Sequence, residues 1–252
     1  MTKIEFTGER FVPDKSPPRL EAEHRSRYEF AGRFMEGQRV LDIGCGEGYG
    51  SYMMIAFARS VVGVDINERA IRHAKEMYES TNLSFTAADV ASLPFSDGEF
   101  TACVCFEVIE HIENPDAMLS EARRVLDPKG IFIVSTPNGA VRVSSRPNPF
   151  HAREFNLKGF RQLLEKYFPS DEWSMEILGQ FQKGKAYSKS GVMLMNMYLG
   201  LKGSLGIRPR EESSAGLSRP SEPKKPVSQY EFASTQAELA EYLIAVIQGR
   251  RQ

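Results

Sequence analysis

The chain has 252 residues, of which 41% are hydrophobic and 26% charged, and this composition excludes a disordered or fibrous protein. Lys plus Arg number 32 and Asp plus Glu number 33, so the net charge of −1 provides no field that would attract nucleic acid or an anionic membrane. Three cysteines, two of them in apolar runs, exclude a disulfide framework. No stretch approaches the ~20 apolar residues of a membrane span, so we expect a cytoplasmic protein.

Short apolar runs alternate with helical patterns, which predicts a parallel sheet built from βαβ units. The predicted strands are Arg39–Ile43, Val61–Asp65, Leu83–Ala87, Phe100–Phe106, Ile131–Ser135, Met175–Phe181 and a last strand at Glu241–Gln248. Helical patterns begin at Tyr49, after the caps Asn67 and Asn114, and at Asn156. We expect an α/β fold: a doubly wound, mostly parallel seven-stranded sheet with helices on both faces and an antiparallel last strand.

Composition divides the chain into four parts. We expect an N-terminal segment at 1–36, an α/β core at 37–181, a partly disordered insertion at 182–234, and a C-terminal strand at 235–252 that completes the sheet. Within the insertion, Lys202–Gln229 is rich in Pro, Ser and charge, which is typical of disorder. The apolar, Met-rich run Gly191–Leu201 is interpreted as a helix on the core or on a second subunit. The alternatives are peripheral membrane contact and a cover over a hydrophobic acceptor.

A glycine-rich turn follows the first predicted strand and reads LDIGCGEGYG. Glycines at such a strand-to-helix turn let the backbone approach a ligand, and the next helix offers unpaired N–H groups. The dinucleotide fingerprint requires a sixth-position glycine, where this chain has Tyr49, and the carboxylate of Asp42 before the turn would repel a pyrophosphate. The turn therefore predicts a ligand that carries positive charge, such as an ammonium and a sulfonium.

Acids follow the next two predicted strands. Asp65 is placed to accept hydrogen bonds from two ribose hydroxyls. Asp89 is placed to accept one from an exocyclic amine such as the adenine N6. Together with the turn, these acids indicate a nucleoside-type cofactor.

On these motifs the chain resembles the class I S-adenosylmethionine-dependent methyltransferases. The resemblance runs from about Arg39 to Tyr167 and covers LDIGCGEG, VVGVDI, AADVASLPF, FEVIEHI and IFIVSTPN, in the family's order. It implies S-adenosyl-L-methionine as the cofactor, bound by the core at 37–181, with Phe106 and Glu107 near the methyl-donor end. It also implies that the N-terminal segment 1–36 is a lid over the cofactor and the acceptor. The cofactor-binding residues expected from the motifs are Asp42, Gly44, Cys45, Gly46, Gly48, Asp65, Ile66, Asp89, Val90 and Phe106.

The segment EVIEHI after the fourth strand is a candidate metal site. If it begins a helix, Glu107, Glu110 and His111 share one face, where they can hold Mg²⁺ or Mn²⁺. The spacing resembles the metal-binding segments of ubiquinone-biosynthesis O-methyltransferases and of small-RNA 2′-O-methyltransferases. The latter resemblance adds His151, nine residues before Phe160. The alternative is that these residues bind no metal and hydrogen-bond locally or shape the pocket.

Without a metal, His111 or His151 can accept the proton of an attacking hydroxyl, since imidazole titrates near neutrality. Glu107 completes the candidate catalytic set. The leaving thioether is neutral and needs no acid, so the rate comes mainly from holding nucleophile, methyl and sulfur in line. Because an unprotonated amine would need neither base nor metal, we expect oxygen as the nucleophile.

A weaker resemblance, in TGERFVP, EHRSRYEF and PNPFHAREF, connects the chain with methyltransferases of bacterial surface-glycan biosynthesis. It implies a hydroxyl on a small molecule or glycan as the acceptor. In the N-terminal run, Arg19, Arg25 or Tyr28 can contact the cofactor carboxylate or an anionic substrate, or belong to a solvated helix packed on the sheet.

Two alternative functions stay open. One is metal-dependent 2′-O-methylation of RNA ends, against which the near-neutral charge argues, and the other is a non-catalytic cofactor-fold interaction protein.

Overall fold

The computed structural model describes residues 17–140, 148–182, 230–234 and 237–250. The helices are α1 (Pro18–Gly32), α2 (Tyr49–Met54), α3 (Glu68–Met77), α4 (Pro115–Val125) and α5 (Leu157–Glu165). The strands are β1 (Arg39–Ile43), β2 (Ser60–Asp65), β3 (Leu83–Ala87), β4 (Phe100–Phe106), β5 (Leu126–Pro137), β6 (Trp173–Gln182), β7 (Tyr230–Ala233) and β8 (Tyr242–Gly249).

Asparagine caps start three of the helices, and two of these caps, Asn67 and Asn114, are as predicted. The side chain of Asn67 accepts hydrogen bonds from the N–H groups of Arg69 and Ala70 at the start of α3. Asn114 caps α4, where Pro115 is the first helical residue, and Asn156 caps α5. Each cap satisfies N–H groups that have no partner within the helix, which sets the position where the helix begins.

The eight strands form one sheet in the order β3-β2-β1-β4-β5-β8-β6-β7. Strands β1 to β5 pair in parallel, whereas β8 lies between β5 and β6 and is antiparallel to both. The predicted α/β class and the antiparallel last strand are confirmed. The sheet has eight strands instead of seven because Tyr230–Ala233, assigned above to the insertion, pairs antiparallel with β6.

Strand β5 begins at Leu126, before the predicted start at Ile131. Leu126 pairs with Phe100, and an irregularity in the register then lets the segment Asp127–Gly130 remain in the strand. The polar residues of this segment therefore form an irregular, bulge-like part of β5.

Helices cover both faces of the sheet, as the alternating pattern predicts. On one face, α1 packs on apolar side chains that include Val40, Val104 and Ile133. On the other, α4 and α5 pack on the alternate residues of the same strands, which include Leu41, Cys103 and Phe132. Because successive residues of a strand point to opposite faces, each central strand is buried on both sides.

The strand order reverses between the neighbours β1 and β4, since β2 and β3 extend the sheet on one side and β5 extends it on the other. In open α/β sheets, ligands bind at the carboxyl ends of the strands at such a reversal. The glycine turn follows β1 and Glu107 follows β4, so both lie at this edge.

The division of the chain into four parts stays a prediction. The runs Gly191–Leu201 and Lys202–Gln229, and the segment TGERFVP, lie outside the described residues. Among the described helices, none combines the length and apolar character that crossing a membrane requires.

Candidate functional site

The glycine turn after β1 is held by the neighbouring strand β2. The N–H groups of Gly44 and Cys45 both donate to the carbonyl oxygen of Val64, each at 2.8 Å. Gly44, Gly46 and Gly48 have φ angles of 74°, 54° and 84°, a region that residues with a Cβ rarely adopt. This conformation turns the chain sharply from β1 into α2.

Gly48 and Gly46 differ in the space that surrounds their Cα atoms. A Cβ atom at Gly48 would lie 2.6 Å from the ring of Phe85 and 2.8 Å from the side chain of Ala74. A Cβ atom at Gly46 would meet no atom of the described chain within 4 Å. Packing therefore requires glycine at position 48, whereas Gly46 borders open space at the ligand edge.

Asp65 ties the turn to the start of α3. Its Oδ2 accepts a hydrogen bond from the N–H of Gly46 at 3.0 Å, and its Oδ1 accepts one from the N–H of Asn67 at 2.8 Å. Each carboxylate oxygen has a second lone pair. The side chain is thus fixed in orientation and can still accept hydrogen bonds from the two hydroxyls of a ribose.

The residues after β2 and β3 place an apolar and an acidic group at the same edge. Ile66 is 70% exposed, which is high for a large aliphatic side chain. Asp89 is exposed and accepts a hydrogen bond from the N–H of Ala91, and Val90 is buried. An exposed aliphatic surface near two acids fits a purine with its ribose, so the described residues fit the implied cofactor.

Asp42 is fully buried beneath the turn. The hydroxyl of Ser51 donates to its Oδ2 at 2.6 Å, and the hydroxyl of Tyr28 in α1 lies 3.3 Å from its Oδ1. Burial raises the pKa of the Asp42 carboxyl to about 7, and the charge of Asp65 acts in the same direction. The hydrogen bonds from the two hydroxyls act in the opposite direction and lower this pKa. Ser51 was not among the predicted site residues, because no spacing signal connects it with Asp42.

Aromatic side chains of α1, α2 and β4 form a wall beside Asp42. The ring of Tyr28 makes edge-to-face contacts with Tyr49 and with Phe106, at centroid distances of 5.5 and 5.0 Å. Tyr28 is one of the three N-terminal residues that were considered for a ligand contact. In the structure it lies at the site because α1 packs its ring against Tyr49 and Phe106.

Glu107 follows β4 in an unusual backbone conformation. Its φ of 57° is the one positive value at a non-glycine position in the described part of the chain. Such a conformation costs about 1 to 2 kcal/mol and persists when surrounding contacts hold it. Here the hydroxyl of Ser135 donates to Oε1 at 2.8 Å, and Nη2 of Arg27 lies 3.8 Å from Oε2.

The segment after Glu107 forms a short 3₁₀ turn at Ile109–His111, not the start of a helix. Glu107, Glu110 and His111 therefore do not share one helix face, and this part of the prediction is wrong. Glu110 is 1% exposed, and its Oε2 accepts a hydrogen bond from Thr136 at 3.3 Å. Burial raises the pKa of Glu110 well above its usual range, and the charge of Glu107 raises it further.

The two predicted histidines meet edge to face, with ring centroids 4.9 Å apart. Nδ1 of His111 lies 2.8 Å from the carbonyl oxygen of Phe150, so this nitrogen carries the proton and donates. In His151, Nδ1 lies 2.7 Å from a carboxylate oxygen of Glu154, and Nε2 lies 2.8 Å from the side-chain amide of Asn148. These hydrogen bonds orient both rings.

Three of the four predicted metal ligands converge. One ligand atom each from Glu110, His111 and His151 lies within 4.8 Å of the others, and Glu107 is not part of this group. Two imidazoles and one carboxylate suit Mn²⁺ or another transition ion better than Mg²⁺, which prefers oxygen. Three of the four predicted ligands therefore lie together, and metal binding itself stays a prediction. To bind an ion, His151 would exchange its hydrogen bond with Asn148 or Glu154 for the metal.

The parallel sheet, the reversal of strand order and the glycine turn define a Rossmann-like, cofactor-binding α/β protein. A family model described as "Methyltransferase domain" matches residues 35–188. The sequence is 36% identical over 169 residues to a probable S-adenosylmethionine-dependent methyltransferase of Mycolicibacterium smegmatis, which covers 64% of each chain. It is also 32% identical over 107 residues to a ubiquinone biosynthesis O-methyltransferase of Dechloromonas aromatica, with 41% of this chain and 46% of that protein covered.

Among solved structures, the PH0226 protein of Pyrococcus horikoshii has a TM-score of 0.56 and 24% identity, and the match covers 69% of this chain and 90% of that one. The chain spans less than two thirds of the length of the two curated relatives.

The chain belongs to the methyltransferase-domain family, within the class I S-adenosylmethionine-dependent methyltransferases. The resemblance in the sequence motifs is thus confirmed, and S-adenosyl-L-methionine is the cofactor of this family. The individual contacts to it stay predictions.

Proposed function

We propose that the chain transfers the methyl group of S-adenosyl-L-methionine to a hydroxyl of a small molecule or glycan. The observation that carries the choice of oxygen is the pair His111 and His151, each oriented by hydrogen bonds beside the end of β4. An oriented imidazole is suited to accept the proton of a hydroxyl nucleophile. A relative named as an O-methyltransferase supports the same choice.

When bound, the cofactor supplies a methyl group on a positively charged sulfur. The chain orients the two reactants and excludes water from them. Asp65 and the glycine turn hold the nucleoside, while Phe106 and Tyr28 form an apolar wall near the methyl-donor end.

His111 takes the hydroxyl proton at Nε2, since its Nδ1 donates to the carbonyl oxygen of Phe150. Both ring nitrogens of His151 are engaged, by Glu154 and by Asn148, so His151 supports the site without taking this proton. No acid is needed because the departing thioether is neutral, so positioning dominates the rate.

The cofactor part of the proposal is tested by calorimetric titration with S-adenosylhomocysteine. We expect micromolar binding to the wild type and at least 30-fold weaker binding to Asp65→Ala, because the variant loses the acceptor for the ribose and the contact that fixes Gly46. Glu68→Ala is the matched control, since Glu68 is an exposed carboxylate in the first turn of α3. Absence of binding to the wild type would contradict the proposal.

The acceptor part is tested with labelled methyl donor and a panel of sugars, phenols and amines. We expect label on hydroxyl oxygen, and at least a 100-fold lower kcat in the double variant His111→Ala/His151→Ala with an unchanged affinity for S-adenosylhomocysteine. Transfer to nitrogen or carbon would contradict the choice of oxygen. A chelator distinguishes metal-assisted transfer from the metal-free form. Methylation of RNA ends and a non-catalytic role rest on the sequence alone.

A further inference from the structure

We propose that Arg27 is the counterion of Glu107, and that it prevents this carboxylate from ligating any metal ion held by Glu110, His111 and His151. The inference concerns the same site but does not depend on methyl transfer or on the acceptor. It rests on which face of the sheet each carboxylate occupies, on how Arg27 is fixed, and on the charges that meet there.

The two carboxylates lie on opposite faces of the sheet edge. Glu107 accepts its hydrogen bond from Ser135, and Glu110 accepts its hydrogen bond from Thr136. Ser135 and Thr136 are consecutive residues of β5, so their side chains point to opposite faces. Glu107 therefore faces α1, whereas Glu110 faces the side where the two histidines lie.

Arg27 is fixed in the position that faces Glu107. Its side chain has no exposed surface, and its Nε donates to Oε1 of Gln180 at 2.8 Å. The amide nitrogen of Gln180 in turn donates to the hydroxyl of Ser26 and to the carbonyl oxygen of Glu23. The guanidinium also lies 4.1 Å from the ring centre of Tyr242. These contacts connect α1, β6 and β8 around the guanidinium.

The ion pair and a metal ion would compete for the same carboxylate. Glu107 is 11% exposed, and Nη2 of Arg27 lies 3.8 Å from its Oε2. Moving Glu107 to a metal would take from the buried guanidinium the one carboxylate that lies within 4 Å of it in the described residues, which is strongly unfavourable in a site of low dielectric. A divalent ion close to Glu107 would also be repelled by Arg27. The positive φ of Glu107 fits a carboxylate that is turned toward α1.

The consequence is a three-residue cation site completed by water. Its donors are one carboxylate and two imidazoles, which favour Mn²⁺ over Mg²⁺. In this arrangement Glu107 binds no metal. Its carboxylate can then accept a hydrogen bond from the substrate that receives the methyl group.

The test is Mn²⁺ binding, measured by electron paramagnetic resonance on the full chain saturated with S-adenosylhomocysteine. We expect Glu107→Gln to change Mn²⁺ affinity less than twofold and Glu110→Gln to lower it at least tenfold. Arg27→Met releases Glu107 and should raise the affinity at least tenfold, and this gain should vanish in Arg27→Met/Glu107→Gln. Arg33→Met, an exposed arginine directly after α1, is the matched control and should have no effect.

Two results would overturn the proposal: a tenfold loss of Mn²⁺ affinity in Glu107→Gln, or no gain in a folded Arg27→Met. Should Arg27→Met not fold, Arg27→Gln, which removes the charge and keeps a hydrogen-bonding side chain, replaces it in the same comparison. Arg27→Lys, which keeps the charge, should remain at the wild-type affinity. Titration with S-adenosylhomocysteine reports folding in every variant and separates a failure of this proposal from a failure to bind the cofactor.

Discussion

The hydroxyl of Tyr28 in α1 donates a hydrogen bond to the buried carboxylate of Asp42 in β1, 3.3 Å from Oδ1. The same ring lies against Gly50, where a Cβ atom would come within 2.0 Å of it. The N-terminal helix is thus fitted to the strand and helix on either side of the glycine turn. Changes in α1 should therefore affect the cofactor site even where they contact no ligand.

Asp42 makes folding stability depend on pH. Burial raises its pKa in the folded state to about 7 from 3.8, so between these values the folded state binds more protons than the unfolded state. The stability contribution is therefore full below pH 4, falls as the pH rises to about 7, and is constant above it. Relative to wild type, Asp42→Asn should gain up to about 4 kcal/mol across this interval.

The measurement is urea unfolding of both proteins at several pH values from 4.5 to 8. Ser51→Ala serves as a second variant, because it removes a hydrogen bond that lowers the pKa of Asp42. It should extend the loss of stability to higher pH. A difference between wild type and Asp42→Asn that is the same at every pH would show that burial does not perturb this carboxyl.

Alanine substitutions at positive-φ glycines separate backbone strain from ligand contact. Gly37 and Gly46 both have positive φ and both have open space around a Cβ atom, but Gly37 lies at the opposite edge of the sheet. Each substitution should cost about 1 kcal/mol from strain. Only Gly46→Ala should also weaken S-adenosylhomocysteine binding, by at least tenfold.

Urea unfolding and calorimetric titration check both parts, and equal affinities of the two variants would place the ligand away from Gly46. Gly48→Ala is expected to be less stable than either, since its Cβ atom would overlap with Phe85 and Ala74.

The exposed side chain of Ile66 should contribute to cofactor affinity without contributing to stability. We expect Ile66→Ser to weaken S-adenosylhomocysteine binding by about three- to tenfold, because the purine or ribose loses an apolar contact of ~1 kcal/mol. Met77→Ser is the control, as Met77 is 45% exposed at the end of α3. Thermal denaturation should place both variants close to wild type, and an unchanged affinity in Ile66→Ser would argue that the cofactor does not contact this surface.

Much of the sheet could be predicted because its signals are local. Runs such as Phe100–Phe106 are apolar throughout, and Asn67, Asn114 and Asn156 mark helix starts by their own hydrogen bonds. Strand β7 was missed because Tyr230–Ala233 is four residues long, and only its pairing with β6 identifies it as a strand. The property that makes this segment a strand is therefore a tertiary contact and not a local sequence pattern.

The orientation of the site residues could not be predicted in the same way. Arg27 stands in a charged run that resembles a solvated helix, and its burial depends on Gln180 and Tyr242, which are distant in sequence. The side of the sheet that Glu107 faces depends on its positive φ and on Ser135 of β5. Spacing within EVIEHI carries neither piece of information.

The place of β8 has a consequence for the order of folding. Strands β5 and β6 are not neighbours, and in the described chain every backbone ladder between the β1–β5 part and the β6–β7 part passes through Tyr242–Gly249. During synthesis the first five strands emerge long before this segment does. Until it arrives, β5 presents an unpaired edge. Completion of the sheet, and the packing of α1 across it by way of Gln180, must therefore follow translation of the C-terminal part of the chain.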